Sequence, residues 1–89
     1  MIVRKRVVVQ GRVQGVFFRA SLQREAELRD VHGWARNRGD GNVEAVLEGE
    51  RTAVDAVVRW CHDGPPRAAV DSLEITSEEP QGETRFAVR

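Results

Sequence analysis

The chain has 89 residues, enough for one hydrophobic core and too few for two. Its 14 basic and 14 acidic residues cancel, which argues against a global field drawing it to nucleic acid or to an anionic membrane. No apolar run reaches the length of a membrane helix or forms a signal-peptide core, and the single Cys61 has no partner for an internal disulfide, so a cytoplasmic location is expected.

Period-2 alternation opens the chain. Between Val3 and Val13 the odd positions are Val3, Lys5, Val7, Val9, Gly11 and Val13, and the even ones are mostly polar. The pattern predicts a first strand with one buried side and with the Arg4-Lys5-Arg6 run in solvent. After a bend at Gly15, a helix is expected from about residue 18 to 29, with Phe18, Leu22 and Ala26 on one stripe. Val31 to Arg38 reads as a second strand and Asn42 to Glu48 as its antiparallel return, joined through Gly39-Asp40-Gly41. A second helix carries Val54, Val57, Val58 and Cys61 at i, i+3, i+4 and i+7, with Thr52 and Asp55 as a possible capping box and Gly64-Pro65-Pro66 as its stop. Val70 to Thr76 is a fourth strand with Leu73 and Ile75 inward. An acidic loop over 77–83 then leads to a short edge strand holding Thr84, Phe86 and Val88.

This order predicts an α+β, ferredoxin-like split β-α-β sandwich: an antiparallel sheet of four to five strands, covered on one face by two helices, as one domain over 1–89. In that topology the first two strands are parallel with the third between them. Their C-terminal ends then share one edge of the sheet, about 10 Å apart. Arg19 follows the first strand and Asn37 closes the second, so the fold alone brings them together. The other sheet face would expose Arg4, Arg6, Val8, Glu44, Val46 and Glu48. With no aromatic among them, it is a poor platform for RNA bases.

The chemistry concentrates in Gly11-Arg12-Val13-Gln14-Gly15-Val16-Phe17-Phe18-Arg19. A glycine bend entering a helix exposes N–H groups that have no intrahelical acceptor, and these add to the positive end of the helix dipole. Arg19 contributes a permanent charge and a planar fork suited to phosphate or carboxylate oxygens. Cys61-His62-Asp63 is read as structural, because consecutive helical residues diverge. His32 has no evident partner, and Trp34 either shapes the site or covers the sheet. Phe17 and Phe18 read as loop and core packing, with contact to a substrate left open.

These nine residues resemble the acylphosphatase signature G-x-V-Q-G-V-x-F-R, and Gly33-Trp34-Ala35-Arg36-Asn37 is similar to its second motif, G-W-V-x-N. The resemblance implies a metal- and cofactor-free hydrolase of small acyl phosphates. In it the backbone of Gly15, Val16, Phe17, Phe18 and Arg19, with the Arg19 side chain, would bind the phosphate, and Asn37 would hold the attacking water. Inorganic phosphate would be product and inhibitor. A monomer is expected, with no nucleic-acid or membrane partner. Ala35 stands in place of the family's usual valine, and Asp30 in place of the glycine that usually ends the first helix. A non-catalytic binding module, for RNA or regulation, is the alternative. The presence of both functional residues and the short chain favour a free-standing enzyme.

Overall fold

A computed structural model describes all 89 residues. The odd valines of the first strand resolve as expected: Val7 and Val9 lie fully buried on the helix-covered face. The elements are β1 (Ile2–Arg12), α1 (Phe18–Leu28), β2 (His32–Asn37), β3 (Val43–Glu50), α2 (Arg51–Asp63), β4 (Ala69–Glu78) and β5 (Phe86–Val88). They form one five-stranded sheet in the order β4-β1-β3-β2-β5, with two helices packed on it.

Each helix buries the stripe its sequence announces. Phe18, Leu22 and Ala26 of α1 and Val54, Val57 and Cys61 of α2 meet Val7, Val9, Val43, Ala45 and Leu47 of the sheet. The helices also touch through Phe18 and Trp60, whose ring centroids lie 5.4 Å apart. Burial of a side chain such as Phe18 contributes about 2–3 kcal/mol. It also fixes where α1 begins, and so where Arg19 stands. No helix is long and apolar enough to cross a membrane.

Two glycines are required by close approach. Gly11, at φ +129°, sits where the β1–β4 register shifts, and a Cβ there would lie 2.2 Å from the Ala69 carbonyl oxygen. At Gly33, φ +142°, a Cβ would meet the Val46 carbonyl oxygen at 1.9 Å. Both belong to the motifs, and both serve strand packing.

The structure corrects four local expectations. The sheet is mixed: β5 pairs parallel with β2, because the 79–85 segment carries the chain from the end of β4 to the start of β2 before β5 begins. Thr52 and Asp55 form no capping box, since α2 starts two residues earlier, with Glu50 as N-cap and no side-chain cap bond. Leu73 packs against the core, but Ile75 remains 43% exposed on the edge strand.

The fourth correction concerns the face away from the helices. Arg4 is only 4% exposed, and Val8, Glu44, Val46 and Glu48 are buried with it. Arg4 donates to Glu78 at 3.0 Å, to Glu83 at 2.9 Å and to Glu48 at 3.2 Å. Glu48 in turn accepts N–H bonds from Gln81, Gly82 and Glu83 at 2.8–2.9 Å, which folds the loop after β4 across this face. The arginines expected in solvent are thus cross-strand partners of carboxylates beneath a loop.

α1 closes with Val31 N–H on the Ala26 carbonyl at 2.8 Å and Asp30 N–H on Glu27 at 3.2 Å, around Asp30 at φ +58°. This is a helix end that glycine suits best, and a side chain there costs on the order of 1 kcal/mol. Asp30 also supplies the partner that His32 lacked in sequence, with Nε2 3.2 Å from Oδ1, while His32 Nδ1 lies 3.1 Å from the Glu83 carbonyl oxygen.

Candidate active site

The loop between β1 and α1 is held from below by three apolar side chains. Val13, Val16 and Phe18 are buried in the core, while Gly15 (φ +74°) and Phe17 (φ +62°, ψ +28°) take the left-handed turns between them. The first hydrogen bond of α1 runs from Ser21 N–H to the Phe17 carbonyl at 3.0 Å. The N–H groups from Gly15 to Arg19 have no acceptor in the protein. A run of N–H groups turned by left-handed residues makes a concavity for an anion.

A cavity of about 320 Å³ brings Gly15, Phe17, Phe18 and Arg19 together with Asn37, from the end of β2, and Val88, from β5. Val16 turns its side chain away, into the core and toward a neighbouring groove. Phe17 is not packing residue but wall: it is 77% exposed, whereas Phe18 is in the core.

Arg19 pairs with no Asp or Glu side chain. Its Nη1 donates to the main-chain oxygen of Arg89 at 2.5 Å, and Arg89 N–H donates to the Ala35 carbonyl at 2.8 Å. The chain beyond β5 therefore continues along β2 and steadies the guanidinium at the cavity. The Arg89 guanidinium lies 4.5 Å from the Trp34 ring centroid, within cation–π range. Trp34 thus covers the sheet and supports the segment that holds Arg19, without lining the cavity. Other arginines nearby are neutralised: Arg36 pairs with Glu44 at 2.6 Å and Arg38 with Asp40 at 3.0 Å. Arg19 is left as the one charged side chain lining the cavity.

Gln14, within the signature, has a role that the sequence does not reveal. Its side-chain amide donates both protons, to the carbonyls of Arg38 at 2.8 Å and Asn42 at 2.9 Å. This ties the loop carrying Arg19 to the turn that follows Asn37, a turn closed by Arg38 N–H on Asn42 at 2.8 Å. Gln14→Leu is expected to destabilise the fold by about 1–2 kcal/mol. It should also lower kcat about tenfold while the inhibition constant of inorganic phosphate stays within twofold. Steady-state kinetics beside a denaturation midpoint would check both.

No three His, Cys, Asp or Glu side chains converge in a geometry that could hold a metal. Burial pushes the Cys61 thiol up to about 12, so Cys61 is an inert core residue.

Two helices on one face of the sheet, with free N–H groups, a guanidinium and an amide converging at one end, define a small α+β domain with a polar cleft at the end of its first two strands. The chain belongs to the acylphosphatase family, whose sequence profile matches residues 5–88. It is 58% identical over 87 residues to an acylphosphatase of Rubrobacter xylanophilus, covering 97% of this chain and 79% of that one. It is 48% identical to one of Natronomonas pharaonis, covering 98% and 95%. The fold superposes with a TM-score of 0.95 on the structure of an acylphosphatase from Bacillus subtilis, at 38% identity over 100% of this chain and 99% of that one.

Proposed function

We propose that this acylphosphatase hydrolyses the carboxyl–phosphate anhydride of small acyl phosphates to a carboxylate and inorganic phosphate, by direct attack of water. The observation that carries the proposal is one cavity holding the free N–H groups of the Gly15–Arg19 loop, the Arg19 guanidinium and the Asn37 amide. The N–H groups and Arg19 bind the phosphoryl oxygens and stabilise the charge spread over them in the transition state. Asn37 accepts and donates hydrogen bonds without ionising, so it orients the water and does not deprotonate it.

The cavity is lined by no Asp, Glu, His, Lys or Cys, so the proton of the water passes to a phosphoryl oxygen of the substrate. A carboxylate leaves without protonation, which suits an acyl phosphate. An alkoxide leaving from a phosphate monoester would need an acid that this cavity lacks. The same residue set supports catalysis without metal or cofactor, with inorganic phosphate as product and competitive inhibitor. We further propose a monomer working in the cytoplasm, where the lone buried Cys61 is at no disadvantage. The RNA-binding alternative is disfavoured by the face opposite the helices, where Arg4 and Arg6 are engaged by carboxylates and the 81–83 loop lies over Glu48.

The test is hydrolysis of benzoyl and acetyl phosphate in excess EDTA. Turnover should persist, inorganic phosphate should compete, and an alkyl monoester such as glycerol phosphate should be a far poorer substrate. Loss of activity in EDTA, or a preference for the monoester, would refute the mechanism.

A further inference from the structure

Phe17 combines two unfavourable features at one position. It is a bulky aromatic residue in the left-handed region, where side chains other than Gly, Asn and Asp are uncommon. Its ring is also 77% exposed. Core packing does not explain it, because its neighbours Val16 and Phe18 supply the apolar anchors of the loop. An exposed apolar side chain alone needs no explanation. Here, however, the ring stands on the wall of the cavity that holds Arg19 and Asn37, in company with Val88, itself 40% exposed. Strain retained beside reactive groups points to function.

We propose that Phe17, with Val88, is the platform for the acyl group and sets a preference for flat or bulky apolar acyl chains over small ones. This rests on the hydrolytic reading above. A phosphoryl group seated on the N–H groups of residues 15–19 leaves its acyl carbon one bridging oxygen away. The acyl chain must then leave the cradle past the walls of the same cavity. An aromatic ring there removes apolar substrate surface from water and offers a face for stacking. It acts on the part of the substrate that does not react, so its effect falls on discrimination between acyl groups.

The experiment measures kcat/KM for benzoyl and acetyl phosphate in the wild type, Phe17→Asn and Val88→Ala. Asparagine tolerates the left-handed conformation, so it removes the ring with the loop geometry retained. The ratio of the two kcat/KM values cancels any general damage to the loop. The expected result is a benzoyl-to-acetyl ratio about tenfold lower in Phe17→Asn and a few-fold lower in Val88→Ala. A ratio within twofold of wild type in Phe17→Asn overturns the platform while leaving the hydrolytic reading intact. A wild type inactive on both substrates overturns the hydrolytic reading, and the platform with it.

Discussion

Arg19→Ala is expected to lower kcat/KM for benzoyl phosphate by about 10³-fold, or about 4 kcal/mol of transition-state stabilisation. The size follows from what the side chain faces. Arg19 has no Asp or Glu partner, and its one protein bond, through Nη1, is to a main-chain oxygen of Arg89. The remaining donors of the fork are therefore available to phosphoryl oxygens in a cavity partly closed to water. The loss should divide between ground state and transition state, with a raised inhibition constant for inorganic phosphate as well as a lower kcat. Arg19→Lys keeps the charge and loses the fork, so it should recover only part of the activity.

Asn37→Ala should behave differently. Water positioning contributes to the chemical step alone, so kcat falls about 10²-fold while phosphate inhibits almost as in the wild type. Steady-state kinetics with phosphate as competitor separates the two roles. An Arg19→Ala enzyme within threefold of wild type would remove the cradle from the mechanism. An Asn37→Ala enzyme that loses phosphate binding instead of turnover would make Asn37 a ligand of the phosphate.

The elements legible in the sequence are those whose signal is local. Val7 and Val9 fall on the apolar side of a period-2 pattern, and Val54, Val57 and Cys61 recur at helical spacing, so the buried face of each is legible in the sequence alone. The meeting of Arg19 and Asn37 at one cavity follows from β1 and β2 running parallel on either side of β3, which the element order implies. Phe17 and Phe18 could have been separated by the same arithmetic. Phe18 lies four residues before Leu22 on the stripe, and Phe17 lies off it. What remained hidden is non-local. Arg4 reads as a solvated charge until β4 and the loop after it, more than seventy residues later, place Glu78 and Glu83 beside it. The acceptors of Gln14 are main-chain carbonyls in another turn, and a carbonyl has no sequence signature. The direction of β5 depends on where the 79–85 segment crosses, which its Pro, Gly and Glu content does not specify.

That crossing segment gives the largest expected effect on stability. Glu48 is 4% exposed, and its carboxylate accepts three N–H bonds from residues 81–83 and one from Arg4. Burial by itself would raise its pKa. The N–H groups of Gln81 and Glu83, then Arg4 and Gly82, outweigh that and hold it below the ordinary carboxylate value. Glu44 is likewise held low, as Arg6 and Arg36 overcome its burial, and Glu78 is held low by Arg6 and Arg4. A carboxyl whose pKa is lowered on folding stabilises the fold fully above its unfolded value, near 4.3, and loses that contribution as pH falls through the lower folded value. The wild type should therefore lose stability progressively below about pH 4.5. Glu48→Ala should cost about 3 kcal/mol at pH 7, because it leaves the loop N–H groups and the buried Arg4 without their shared acceptor. Glu48→Gln keeps the shape but cannot titrate, so its stability should fall less between pH 5 and pH 3 than that of the wild type. Urea unfolding midpoints at pH 7, 5 and 3 measure both effects, and equal acid slopes in wild type and Glu48→Gln would show that Glu48 is not the titrating link. The effect reaches the cavity through the chain itself. The loop that Glu48 fastens leads directly into β5, and the main chain just beyond β5 holds Arg19, so acid that frees the loop should lower activity before the helices unfold.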